Sequence, residues 1–192
     1  RRQRQMCIRD RREEVLPYQY NILNDAIPGI EKSHAIENIR LAAEKLRGKD
    51  VKPDEFYGMV FQDSDVAKWI EAAAYALAAG EDPELEKAVD ETIQLYGASQ
   101  HEDGYVDSYF TVKCPDKMWT NICDAHELYC AGHMMEAAVA YYEVTGKREL
   151  LDIMSKSADC IYEQFMKKNT RAYPGHPEVE LCLLYTSDAA DD

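Results

Sequence analysis

The sequence predicts an all-α protein built of helical hairpins, an incomplete (α/α)6 barrel or toroid. Three observations predict it. Apolar residues recur at helical spacing almost throughout, turn residues punctuate that pattern, and the links between helices alternate between short and long. The first helical segment, Glu14 to Ala26, has Pro17 either starting or kinking it. The second runs from Ser33, a candidate N-cap, to Arg47 ahead of Gly48. The third starts at Ser64 and carries Val66, Trp69, Ile70, Ala73 and Leu77 before Gly80. The fourth has Asp82 as N-cap and Pro83 at the first helical position, then Ala88, Val89, Ile93 and Tyr96. The fifth spans Asp124 to Val144 and ends at Gly146, the sixth runs from Arg148 to Met166, and a seventh begins near Pro177.

These segments come in repeating pairs. Glu71-Ala72-Ala73 with Gly80 and Glu84-Leu85 reappears as Glu136-Ala137-Ala138 with Gly146 and Glu149-Leu150, an offset of 65 or 66 residues. Links within a hairpin are short, as in Gly80 to Asp82; links between hairpins are long, as in His101 to Cys123. A tetratricopeptide array, with its period of about 34 residues, leaves no room for such connectors. Long ordered connectors carry function more often than short ones, and these are rich in His, Tyr, Asp and Gly: HEDGYVDSYF at 101–110 and RAYPGHPE at 171–178. Alternating links place the long loops, and a ligand cleft, at one end of a toroid. A closed ring of six hairpins needs more chain than this, which implies a fragment of a larger protein.

The chain has 192 residues, 46% hydrophobic and 30% charged, the balance of one globular domain. A net charge of −14 argues against a phosphate-backbone ligand, since few Lys and Arg cluster, so no nucleic-acid partner is expected. The longest apolar run, Ala72 to Ala79, is far short of the ~20 residues that span a bilayer, so no membrane partner is expected either. Six Cys stand scattered at 7, 114, 123, 130, 160 and 182 without a CxxC; they suggest reduced thiols and slightly favour a cytoplasmic setting. The two ends differ in character from the rest. RRQRQMCIRDR at 1–11 and CLLYTSDAADD at 182–192 resemble translated sequencing-adapter sequence around a metagenomic fragment, which leaves 12–181 as the barrel segment.

Several side chains invite a chemical reading. Cys123, His126, Cys130 and His133, spaced 3, 4 and 3 apart, share one helical stripe and resemble a zinc site. Turns 5.4 Å apart, however, prevent four such ligands from reaching one ion, and no metal is assigned to this chain. His126 follows a long loop at the cleft end, whereas His133 lies two turns deeper, among core or hydrogen-bonding positions. His176, in Gly175-His176-Pro177-Glu178, occupies the same loop–helix junction one hairpin later, so the two imidazoles point toward the mouth or, for His176, cap its own helix. Asp63 and Asp65 fit an N-terminal cap and charge pattern better than an acid–base pair. Trp69, Tyr75 and Tyr141 read as core, while Tyr105, Tyr109 and Phe110 either stack on a sugar ring or anchor the loop. No nucleophile–base–orienter set, phosphate-binding glycine loop or glycosidase carboxylate pair stands out.

Taken together, LPYQYNILND (16–25), KSHAIENIRLAA (32–43), FYGMVFQDSDVAKWIEAAAYAL (56–77), EDGYVDSYF (102–110), HELYCAGHMMEAAVAYYEVTGKRELL (126–151) and YPGHPEVEL (173–181) resemble the N-terminal part of the β-L-arabinofuranosidases of glycoside hydrolase family 127. The resemblance covers Arg12 to Leu181, and FQDSDVAKW, HELYCAGH and GHPE are specific in combination. It implies an (α/α)6 barrel followed by β-sandwich domains. It implies a retaining glycosidase acting on non-reducing-end β-L-arabinofuranosides, in which a zinc-bound cysteine thiolate attacks the anomeric carbon and a glutamate serves as general acid/base. Those catalytic groups and the zinc would lie past Leu181, in a longer parent capable of forming a homodimer. The fragment itself would hold no cofactor and no catalytic residue. What the resemblance carries onto this chain is substrate binding by His126 of HELY and His176 of GHPE through hydrogen bonds to arabinofuranose hydroxyls. A subsite glutamine that the family places before SHA has no counterpart, because that loop is short here. The competing readings are another α/α-toroid carbohydrate enzyme, which would show a basic cleft for an acidic sugar, and a non-catalytic helical-repeat binding module, which would show short uniform links.

Overall fold

The computed structural model describes residues 10–168 and 171–179, and these are helical without a strand. The helices are α1 (Leu16–Leu23), α2 (Ala35–Leu46), α3 (Asp63–Ala78), α4 (Pro83–Ala98), α5 (Ser108–Lys113), α6 (Glu127–Thr145) and α7 (Glu149–Tyr162). A π-turn, Arg11–Val15, leads into α1, a second, Glu163–Lys167, follows α7, and single 3-10 turns lie at Pro53–Glu55 and Pro115–Lys117. Most of the expected tails, 1–9 and 182–192, lie outside the described residues, as does the continuation of the seventh helix beyond Val179.

Three hairpins, α1–α2, α3–α4 and α6–α7, stand side by side. α1 packs on α3 and α3 along α6, forming an inner row, while α2 packs on α4 and α4 on α7, forming an outer row. This is the inner–outer alternation of an α/α toroid, an arc that the described residues do not close into a ring. The core runs along the inner row: Val66, Ile70 and Ala73 of α3 meet Met134, Ala137 and Ala138 of α6, all essentially without solvent exposure. Alanines on facing inner helices let the two axes approach closely, so α3 and α6 make the most extensive interhelical contact of the described chain. Leu150 and Met154 of α7, with Val89 and Ile93 of α4, close the core from outside.

Local signals fix several boundaries. Asp82 caps α4, its Oδ1 accepting from Leu85 N at 3.1 Å, with Pro83 at the first helical position. Gly146 ends α6 in the left-handed region at φ 72°, a conformation that favours glycine. Three expectations are corrected. α2 starts at Ala35, with His34 rather than Ser33 in the cap position. Tyr75 is 62% exposed, because it borders an open cleft between α3 and α6 lined by Glu71, Met135 and Glu136 rather than packing between the two helices, whereas Trp69 and Tyr141 are core. Asp63 is no cap: it is the first helical residue, 3% exposed, and serves a long-range purpose.

That purpose is to hold the 99–126 connector. Asp63 accepts hydrogen bonds from the backbone N–H of Ser108, at 2.7 Å, and from the Ser108 hydroxyl. Glu127, the first residue of α6 and equally buried, accepts from Tyr105 Oη at 2.7 Å and from Trp119 N at 3.0 Å. Both carboxylates thus sit at the positive end of an inner helix and satisfy donors of the same connector. Tyr105 and Phe110 are 3% and 4% exposed, so the connector's aromatics anchor the loop. Asp107 caps α5 through Phe110 N at 3.0 Å, and its second oxygen is buried without a hydrogen-bond partner. Burial, with the Asp63 charge adding to it, holds the Asp107 carboxyl well above the usual carboxylate range.

Asp63→Ala strips the partner from two buried donors of α5 and lowers stability by about 2–4 kcal/mol, read as a fall in the urea midpoint. Asp107 has its folded pKa raised, so the stability it confers is present at acid pH and is lost as pH rises through that folded value. Asp107→Asn keeps the cap oxygen and removes the charge; it makes the protein more stable than wild type near neutrality and flattens the fall of stability with rising pH by up to about 1.4 kcal/mol per pH unit, measured by denaturation at a series of pH values.

Candidate functional site

The long links 47–62 and 99–126 and the strap 171–179 converge at the end where α3 and α6 begin. Each delivers a ring. Phe61, two residues before α3, lies 5.3 Å from the His126 ring; His126, the residue before α6, lies 5.2 Å from the His176 ring of the strap. Tyr129, one turn into α6, lies 5.5 Å from His126, 5.2 Å from His176 and 4.5 Å from His133. The imidazoles expected at equivalent junctions are therefore neighbours. Phe61 and Tyr129 join them without having been singled out from sequence; Phe61 occupies the same junction as the two histidines, and Tyr129 follows His126 by three residues on one helical face.

The local backbone explains why these side chains are presented. His126 takes a left-handed conformation, φ 61°, immediately before α6 rather than within its first turn. Its Nδ1 lies 2.7 Å from the carbonyl oxygen of Asp124, an acceptor only, so Nδ1 carries the proton and Nε2 is left as an acceptor for a hydroxyl. The strap reaches α6 because residue 132 is glycine: a Cβ there would lie 2.9 Å from the carbonyl carbon of Glu178 and from Val179 N. At its other end a Cβ on Gly175 would lie 2.2 Å from the Cys123 carbonyl oxygen. Gly132 and Gly175 thus let His176 come down onto His126.

Lys68 of α3 ties the inner helices together, Nζ lying 3.0 Å from Tyr129 Oη and 3.2 Å from Ser64 Oγ. Beyond Lys68 opens a cleft of about 350 Å³ lined by Gln19, Ser33, Asp65, Lys68, Trp69 and Ala72 among others. His133 is pushed below the ordinary imidazole range by burial, against the pull of Glu178. Glu127 supports the site from below; burial raises its carboxyl while Trp119 N–H and Tyr105 pull it down. These groups can bind a neutral polar ligand: imidazoles supply one donor or acceptor each, and the Phe61 and Tyr129 rings supply apolar faces.

The stripe of Cys123, His126, Cys130 and His133 disperses. Cys123 is exposed ahead of the helix and Cys130 is buried beneath it. None of the described cysteines 114, 123, 130 and 160 falls in a group of three metal-binding side chains. Burial pushes the Cys130 thiol well up and the Cys160 thiol to about 11, the reverse of what a zinc-bound thiolate requires. These cysteines do not fit a zinc–thiolate centre.

The chain matches the family model described as β-L-arabinofuranosidase, GH127 catalytic domain, over residues 5–190. It is 41% identical to a non-reducing end β-L-arabinofuranosidase of Bifidobacterium longum subsp. longum over 191 residues, covering 89% of this chain and 28% of that protein. Among solved structures it resembles a GH127 β-L-arabinofuranosidase from Geobacillus stearothermophilus T6, with TM-score 0.87 and 52% identity over 96% of this chain. A second GH127 β-arabinofuranosidase superimposes with TM-score 0.78 and 30% identity over 92% of this chain. The chain spans 28% of the length of each of these relatives.

Gly132→Ala forces Glu178 and Val179 away from α6. It is expected to lower stability by about 1–3 kcal/mol and to release the strap, seen as faster hydrogen exchange confined to 171–179.

Proposed function

Because this chain belongs to the GH127 β-L-arabinofuranosidase catalytic-domain family, we propose that it forms the substrate-binding front of a glycoside hydrolase acting on non-reducing-end β-L-arabinofuranosides. His126 and His176 hydrogen-bond the sugar hydroxyls. The observation that carries this reading is the convergence of three connectors on one patch, with the His126 and His176 rings 5.2 Å apart and the Phe61 ring beside them. A furanose has hydroxyls on its rim and C–H groups on its faces. Paired imidazoles with one flanking aromatic ring suit both, and no cationic cleft is needed for a neutral sugar.

Breaking the glycosidic bond falls, in this reading, to residues of a longer parent that this chain does not cover, including its acid/base glutamate and its zinc with cysteine ligands. What the present residues do is position. The His126 Nδ1–H held by the Asp124 carbonyl leaves Nε2 available for a sugar hydroxyl, and the glycine-permitted strap places the second imidazole against the first. A non-catalytic repeat module is less well supported, since its links would be short and uniform.

In the longer parent, His126→Ala and His176→Ala each lower kcat/KM on a β-L-arabinofuranoside by about 10- to 100-fold, the loss of one or two hydrogen bonds made at the sugar. The 192-residue chain alone hydrolyses nothing above its own His126→Ala, His176→Ala control. A rate clearly above that control would overturn the assignment of the chemistry to other residues.

A further inference from the structure

Behind the sugar-facing rings, a second group of side chains gathers where the strap meets α6. His133 and Glu136 lie three residues apart on one face of α6, and Glu178 comes from the strap. One donor atom from each lies within 4.8 Å of the other two. His133 Nδ1 is 3.5 Å from Glu136 Oε2 and 3.4 Å from Glu178 Oε1, yet it is buried and makes no hydrogen bond. A buried ring nitrogen left without a hydrogen bond between two carboxylates is a costly arrangement unless something occupies the space between them.

We propose that His133, Glu136 and Glu178 bind a divalent transition-metal ion that fastens the 171–179 strap to α6. Around a tetrahedral ion with bonds of about 2.1 Å, neighbouring donors lie about 3.4 Å apart, which is the spacing of Nδ1 from the two carboxylate oxygens. One imidazole with two carboxylates suits Zn2+ or Mn2+, and the charge of the ion cancels that of the carboxylates. The groups facing His133 from α3 are Lys68 and Glu71, and Lys68 is already engaged by the Tyr129 and Ser64 hydroxyls. The three protein donors leave at least one coordination position for water. Gly132 brings the strap close enough for Glu178 to reach, so the same close approach that seats His176 also assembles the ligands. The assignment does not depend on the proposed glycosidase activity, because metal uptake is read directly.

The 192-residue chain is stripped with chelator and titrated by calorimetry with Mn2+, which thiolates bind poorly, and then with Zn2+. One equivalent of Mn2+ binds, and a hundredfold excess over Kd raises Tm by roughly 5–10 °C. Glu178→Gln, Glu136→Gln and His133→Asn each weaken binding at least about tenfold and abolish the Tm rise, while the metal-free circular dichroism of the carboxylate variants matches wild type. Absence of saturable Mn2+ and Zn2+ uptake, or uptake of equal strength in folded Glu136→Gln and Glu178→Gln, overturns the proposal.

Discussion

Two buried carboxylates at the starts of the inner helices hold the site end of this protein together. Asp63 opens α3 and Glu127 opens α6, and each accepts hydrogen bonds from the connector 99–126 rather than from its own helix. The helix dipole favours a negative group at that position, and the connector's N–H and O–H donors offset its desolvation. The burial of Tyr105 and Phe110 follows, and with it the path of the chain that delivers His126. The carboxylates are costly where they are: both are pushed up by burial, and Asp107 beside them more so. A connector of this length would otherwise have little reason to adopt one path over the helix ends.

Close backbone approach does the rest. Gly104, at φ 94°, lets the connector touch α7, where a Cβ would lie 2.2 Å from the Lys156 carbonyl oxygen. Gly132 and Gly175 let the strap lie on α6 and against Cys123. Each replaces a side chain with backbone-to-backbone proximity, so the rings of His126, His176 and Tyr129 are set by rigid elements rather than by long flexible side chains.

His34 and His126 show how the same local geometry serves different ends. Each immediately precedes a helix in the left-handed region, at φ 54° and 61°. His34 precedes an outer helix, and Asp25 holds it, with an oxygen 3.0 Å from its Nδ1 and another accepting its backbone N–H. His126 precedes an inner helix, its Nδ1 is held by a carbonyl, and its neighbours are the rings of Phe61, Tyr129 and His176. The inner position at the site end, rather than the residue type, is what sets one of them among the rings of three converging segments.

The helical hairpins, the order of short and long links, the Asp82 cap and the Gly146 terminus were legible in the sequence, because each depends on neighbours a few residues away. The family likeness, carried by FQDSDVAKW, HELYCAGH and GHPE, was legible for the same reason. That His126 and His176 stand at equivalent junctions could also be read from the chain. Their 5.2 Å separation, the addition of Phe61 and Tyr129, the exposure of Tyr75 and the burial of Asp63 could not. Those depend on which faces of α3 and α6 meet, and on the glycine-permitted descent of the strap onto α6. His133 and Glu178, 45 residues apart in sequence, become neighbours only through that packing, since periodicity orders side chains along one helix and says nothing of what another segment lays against it.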